Sequence, residues 1–234
     1  MQPEIPERSL NAVDWDRLLH FVGYGRLKAP WWFVGLEEGV RDQTVENSLR
    51  AHAQFSNDVM DLGEAMRLSG FAEVPTNPTW RFVASIAASL LGTPDWDAYR
   101  AHRMGRLDGE TLLAEILPLP APRSSVWPEI YKQKWQTRRE YEREVRPERI
   151  RLLETLVREH KPALVVGYGK TNWDTYEQLT PGVEWVSEKV ERTAVRHGRF
   201  GSTSVVLTYG PTSRPMNASA ERTVVARRIG ELMT

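Results

Sequence analysis

Three stretches of this 234-residue chain hold side chains of the kind that carry out proton transfer and polar recognition. The first is Gly35-Leu36-Glu37-Glu38-Gly39, which follows the apolar run Trp31-Trp32-Phe33-Val34 and sets two carboxylates between two glycines. At the C-terminal end of a buried strand such a turn is a costly place for charge, and close carboxylates raise the pKa of one of the pair. The same pattern also describes surface residues or the start of a helix, where negative charge is favoured. The second is Glu115, a lone acid inside the apolar run Leu113 to Leu119. It either meets a ligand, faces solvent or pairs with an arginine. The third is Thr208-Tyr209-Gly210-Pro211-Thr212-Ser213-Arg214-Pro215-Met216-Asn217, a polar loop rich in hydroxyls. It reads as a binding loop, or as a connection in which Ser213 or Asn217 caps the next helix.

Other chemistries find little support. With no cysteine, disulfides, thiolate metal sites and a cysteine nucleophile are excluded. The histidines at 20, 52, 102, 160 and 197 lack metal-ligand spacing and read as surface or core residues. Gly167-Tyr168-Gly169-Lys170-Thr171 resembles a phosphate loop only superficially, because the Gly-x4-Gly-Lys spacing is absent, and no Gly-x-Ser-x-Gly elbow occurs. The reading therefore calls for no metal and no organic cofactor.

The elements that would hold these residues alternate. Apolar runs at 30–35, 113–119, 162–167 and 204–210 are bounded by turn residues and separated by helical patterns, which predicts an α/β fold with a parallel sheet covered by helices. Ligands of open α/β sheets bind at the C-terminal ends of the strands. Helices are expected within 44–68, over 79–91, from Pro147 to His160, and from Ser219 to Leu232 with Arg222, Arg227 and Arg228 outward. Leu117 to Trp127, with Pro118, Pro120 and Pro122, is expected to leave regular structure after its first residues and form a stiff loop.

Composition and length suit one globular domain over residues 1–234, with 41% hydrophobic and 26% charged residues. Thirty-one basic residues balance 31 acidic ones, yet the charge is uneven: residues 1–75 are net −5 and residues 188–234 net +4. Lys132 to Arg151 adds eight basic residues among Trp135 and Tyr141, which suits a nucleic-acid backbone or, equally, a solvated helix face laced by i,i+4 pairs. No apolar run approaches a membrane span and the acidic start is no signal peptide, so a cytoplasmic protein is expected.

Taken in order, Gly35 to Gly39, Glu115 to Pro120 and Gly210 to Thr212 resemble the strand-end motifs of the uracil-DNA glycosylase superfamily. Trp31 to Gly35, Thr79-Trp80-Arg81 and Lys161 to Gly167 extend the likeness over roughly residues 30 to 230. The resemblance implies a three-layer α/β/α sandwich around a mainly parallel four-stranded sheet. It implies an enzyme that flips a base out of double- or single-stranded DNA and hydrolyses its N-glycosidic bond without a cofactor. Glu37 falls where the family positions the attacking water, and Glu38, in place of the usual proline, can share that role. Gly35, Glu115, Gly210, Thr212 and Ser213 would contact the base, while Arg138, Arg139, Arg143 and Arg214 would meet phosphates. Two departures bear on specificity. Glu115 stands where many members have an asparagine that reads the base edge, and an ionised Glu, which only accepts, suits the amine of cytosine. Gly210 replaces the histidine that stabilises the departing base and leaves room for a bulkier one. A modified cytosine, such as the glucosylated hydroxymethylcytosine of phage DNA, is thus the expected substrate. A protein of this fold that binds nucleic acid without catalysis, or an α/β nucleoside hydrolase, is the alternative.

Overall fold

The computed structural model describes residues 14–40, 45–55, 57–93, 95–122 and 126–233. The four strands expected from the sequence form the centre of its sheet: β2 (Trp31–Gly39), β4 (Thr111–Ala121), β5 (Leu164–Tyr168) and β8 (Thr203–Thr208). They lie in the order β4-β2-β5-β8, and each neighbouring pair is parallel. Their continuous apolar runs follow from burial on both faces. On β2, Trp31 and Phe33 enter one core while Trp32 and Val34 enter the other, and on β5 Leu164 and Val166 oppose Val165 in the same way.

The sheet is larger than the expected four strands. β1 (Gly23–Gly25), β3 (Val59–Met60), β6 (Val186–Val190) and β7 (Thr193–Phe200) extend it to eight, in the order β3-β1-β4-β2-β5-β8-β7-β6. β1 runs antiparallel to β4, and β6, β7 and β8 form an antiparallel meander. Outer strands of this kind carry no long apolar run, β6 holding Ser187, Glu188 and Lys189 in succession, so a search for apolar runs passes over them.

Helices cover both faces, giving the three-layer sandwich. One core packs α3 (Leu62–Leu68), α4 (Pro78–Leu90), α5 (Trp96–His102) and α8 (Ser219–Glu231) on the sheet through residues such as Met66, Phe82, Tyr99 and Ile229. The other packs α1 (Trp15–His20), α2 (Val45–His52), α6 (Arg138–His160) and α7 (Trp173–Glu177) through Leu18, Leu49, Tyr141, Leu153 and Tyr176. None of the described helices is long and apolar enough to cross a membrane.

Several expectations are corrected. The helical pattern over 44–68 is two helices, α2 and α3, divided by the short β3, and Thr44 lies outside the described residues, as do Met1 to Glu4. β4 does not stop at the prolines but runs through Pro118 and Pro120 to Ala121. β1 pairs with β4 only at Leu112, Leu113 and Ala114, so beyond them that edge has no strand partner and a missing N–H costs no ladder bond. α6 starts nine residues before Pro147, at a capping box in which Thr137 and Glu140 satisfy each other's backbone N–H groups. The buried stripe Tyr141, Val145, Ile150, Leu153 and Val157 carries the helix across the proline. Arg222 is buried, its guanidinium on the Met216 carbonyl, rather than outward.

Candidate active site

The strand expected to end at Gly35 continues to Gly39, so Glu37 and Glu38 lie on β2 and not in a turn. The register with β4 shifts between Glu37 and Gly39. Such a bulge re-aims side chains, and here the adjacent carboxylates diverge. Glu37 turns towards α6, where the Arg138 guanidinium reaches its Oε2 at 2.5 Å, and the Nε of the same guanidinium holds Glu142 at 2.7 Å. Glu38 turns towards α2 and β1, where His52 Nε2 lies 3.1 Å from its Oε2 and the Tyr24 hydroxyl donates to it at 3.2 Å. His52 is 4% exposed and sits among Phe21, Tyr24 and Phe55, whereas the Glu38 side chain is partly exposed, so the contact is shielded from one side.

Glu115 is beside Gly35 in the β2–β4 register. A Cβ on Gly35 would fall 2.2 Å from Glu115 Oε2 and 2.6 Å from the Tyr168 hydroxyl, so only glycine lets this carboxyl lie against the strand. Arg149, from α6, holds the Glu115 backbone carbonyl at 2.8 Å, not its carboxylate. The Oε2 is buried and makes no hydrogen bond.

Glu37, Glu38 and Glu115 line one cleft of about 340 Å³, together with Tyr24, Tyr168 and Thr212. The volume is within the range of small-ligand sites. The cleft opens at the C-terminal edge of the parallel strands, beside β2, from which the chain leaves first towards β4 and later towards β5. That reversal is the usual place for a ligand in an open α/β sheet. Phe71 and Trp80 add apolar wall.

Electrostatics separate the three acids. Burial raises the Glu37 carboxyl above its ordinary value, only partly opposed by Arg138. Burial acts on Glu38 too, but the charge and hydrogen bond of His52 and the Tyr24 hydroxyl outweigh it and hold Glu38 below its ordinary value. Burial, reinforced by the negative charges of Glu38 and Glu37, lifts Glu115 well above the carboxylate range, against weaker opposition from Tyr168 and Arg149. The shift favours the protonated form of Glu115, and a protonated carboxyl donates as well as accepts, whereas the sequence reading treats it as ionised and accept-only.

The other expected residues divide. Thr212 joins the cleft, whereas Gly210 and Ser213 do not line it. Ser213 closes a local turn, its hydroxyl donating to the Gly210 carbonyl at 2.7 Å, and a Cβ on Gly210 would rest 3.5 Å from Gly169 Cα. Arg138 is engaged by Glu37 and Glu142. Arg139, Arg143 and Arg214 are exposed. In the basic stretch, Arg149 is buried and pushed down to about 10 by desolvation, and Arg146 is paired with Glu142, as the i,i+4 reading has it. The side chain of Asn217 lies outside the described residues. Among described residues no group of three His, Asp or Glu is arranged to hold a metal ion.

Sequence reasoning missed Tyr24, His52 and Tyr168. Tyr168 carried a signal, since it follows Gly167 at a strand's C-terminal end. Tyr24 sits on a three-residue strand and His52 fourteen residues after its partner, and neither spacing announces a contact. No protein-family model matches the chain, and no curated protein matches it.

Proposed function

We propose that the cleft is the active site of a DNA glycosylase that hydrolyses the N-glycosidic bond of a flipped, modified cytosine and leaves an abasic site. The observation that carries this reading is the convergence of Glu37, Glu38 and Glu115 in one cleft at the C-terminal edge of the parallel sheet. The resemblance to the uracil-DNA glycosylase superfamily in the same three segments adds to it. Breaking the bond between sugar and base develops positive charge on the sugar. A carboxylate beside the ring stabilises that charge and accepts the proton of the attacking water. Glu37 takes this role, with Arg138 fixing its orientation. Glu38, ionised against His52, adds negative potential behind it. Phe71 and Trp80 offer faces for a base, and the exposed Arg139, Arg143 and Arg214 supply phosphate contacts. The protein is read as cytoplasmic and as working without a metal or organic cofactor.

The test is incubation of the protein with duplex and single-stranded DNAs bearing cytosine, 5-substituted cytosines, glucosylated hydroxymethylcytosine and uracil, followed by alkaline cleavage. Alkali-labile sites at a substituted cytosine are the expected outcome, with uracil a poor substrate. Intact strands throughout would remove the reading.

A further inference from the structure

The proposed reaction has a leaving-group problem. The base departs with the electrons of the glycosidic bond, and Gly210 has no side chain with which to meet that charge. The cleft nevertheless contains a carboxyl that the fold leaves without an ion-pair partner. Glu115 lines the cleft, its Oε2 is buried without a partner in hydrogen-bond geometry, its carboxyl has only the neutral Tyr168 hydroxyl beside it, and Arg149 is spent on the backbone carbonyl. Both neighbouring acids are given a nitrogen partner from a helix, Arg138 for Glu37 and His52 for Glu38, and the Glu115 carboxyl is given none.

We propose that Glu115 is the general acid of the cleft, passing the proton of its buried carboxyl to the ring nitrogen of a departing aminopyrimidine. The inference rests on the glycosylase reading and extends it to the class of base. An aminopyrimidine edge places an exocyclic N–H beside a ring nitrogen with a free lone pair, and a neutral carboxyl meets both at once, its carbonyl accepting and its hydroxyl donating. The step balances. Water attacks C1′ and loses a proton to Glu37, the bond from C1′ to N1 breaks with its electrons going to the base, and N3 of the base takes the Glu115 proton. The base leaves as a neutral tautomer, Glu115 is left as carboxylate, and exchange with solvent restores both acids. Groups facing Glu115 from the packed elements favour the loaded acid: Glu37 and Glu38 on β2 and burial hold its proton on, against Tyr168 on β5 and Arg149 on α6. Tyr24 on β1 and Tyr176 on α7, both raised by burial, stay neutral. Environments that push two carboxyls apart in this way divide acid from base.

The experiment measures single-turnover release of 5-hydroxymethylcytosine and 5-formylcytosine from duplex DNA by the wild type, E115Q and E115D. The two bases are close in size, but the formyl group makes its base the better leaving group. E115Q should release 5-hydroxymethylcytosine about a hundredfold more slowly or worse, lose much less on 5-formylcytosine, and bind DNA as before. E115D, which retains a proton to give, should recover part of the loss. Equal losses on both bases, or E115Q within tenfold of wild type, would overturn the assignment while leaving the glycosylase reading intact. Release of only uracil, thymine or purines would overturn the aminopyrimidine edge. A wild type that releases nothing from any DNA overturns the glycosylase reading itself, and the proton donor falls with it.

Discussion

The two sides of the cleft treat the same functional group in opposite ways. On β2, Glu37 and Glu38 each meet a nitrogen donor drawn from a helix, Arg138 of α6 and His52 of α2. On β4, Glu115 lies across from Gly35 with its Oε2 unpartnered and its only nearby guanidinium turned to a carbonyl. Partners favour the ionised form of a carboxyl and burial without an ion-pair partner favours the protonated one, so one cleft pushes its acids towards different functions. The fold achieves this with backbone devices: a bulge that splits Glu37 from Glu38 and a glycine that leaves space for Glu115.

Removing the charge on the partnered side gives the largest expected effect. E37Q keeps the shape and should slow base release by roughly a hundredfold to ten-thousandfold with DNA binding nearly unchanged, read by single-turnover kinetics beside a binding titration. Activity within tenfold of wild type would mean that Glu37 is only the anchor of Arg138.

Removing a partner is the next step. H52Q removes the ring nitrogen that meets the half-buried Glu38 and should cost about 1 to 2 kcal/mol of stability near neutral pH, measured by denaturant unfolding. Because Glu38 is held below its ordinary value, its stabilising contribution is present above about 4.5 and is lost as the pH falls through its folded pKa. The penalty of H52Q should therefore shrink in acid, and a penalty independent of pH would show that His52 matters only through its packing on Phe21 and Phe55.

The smallest effect concerns exposed arginines outside the cleft, two on α6 and one in the loop after β8. The joint replacement of the exposed Arg139, Arg143 and Arg214 by Ala should leave release at saturation unaltered and lower the slope of log affinity against log salt by about 2 to 3. An unchanged slope would place the DNA on another face.

Much of the scaffold was legible in the sequence because parallel central strands are apolar on both faces. The runs around Trp32, Ile116, Val165 and Val206 therefore mark the four central strands in their chain order. The outer strands were hidden because β1 and β3 are very short and β6 and β7 are largely polar. The start of α6 was present in the sequence as Thr137 and Glu140, three residues apart, but Pro147 was the stronger punctuation and drew the boundary to itself. The site was partly legible: strand ends pointed to Glu37, Glu38, Glu115 and Thr212, which share the cleft. What the sequence did not contain was pairing. Arg138 meets Glu37 across 101 residues and His52 meets Glu38 from another helix, and these long-range contacts, together with the burial around Glu115, shift the three carboxyls in different directions.

The division between base and acid is tested most directly by the pH dependence of single-turnover base release in the wild type, E37Q and E115Q. Burial raises Glu37 and raises Glu115 much further, and Glu37 must be ionised while Glu115 must be protonated. The wild-type rate should rise as the pH climbs through the Glu37 ionisation and fall through that of Glu115, E37Q should lose the rising limb, and E115Q the falling one. A falling limb that persists in E115Q, or a wild-type rate indifferent to pH, would contradict the account.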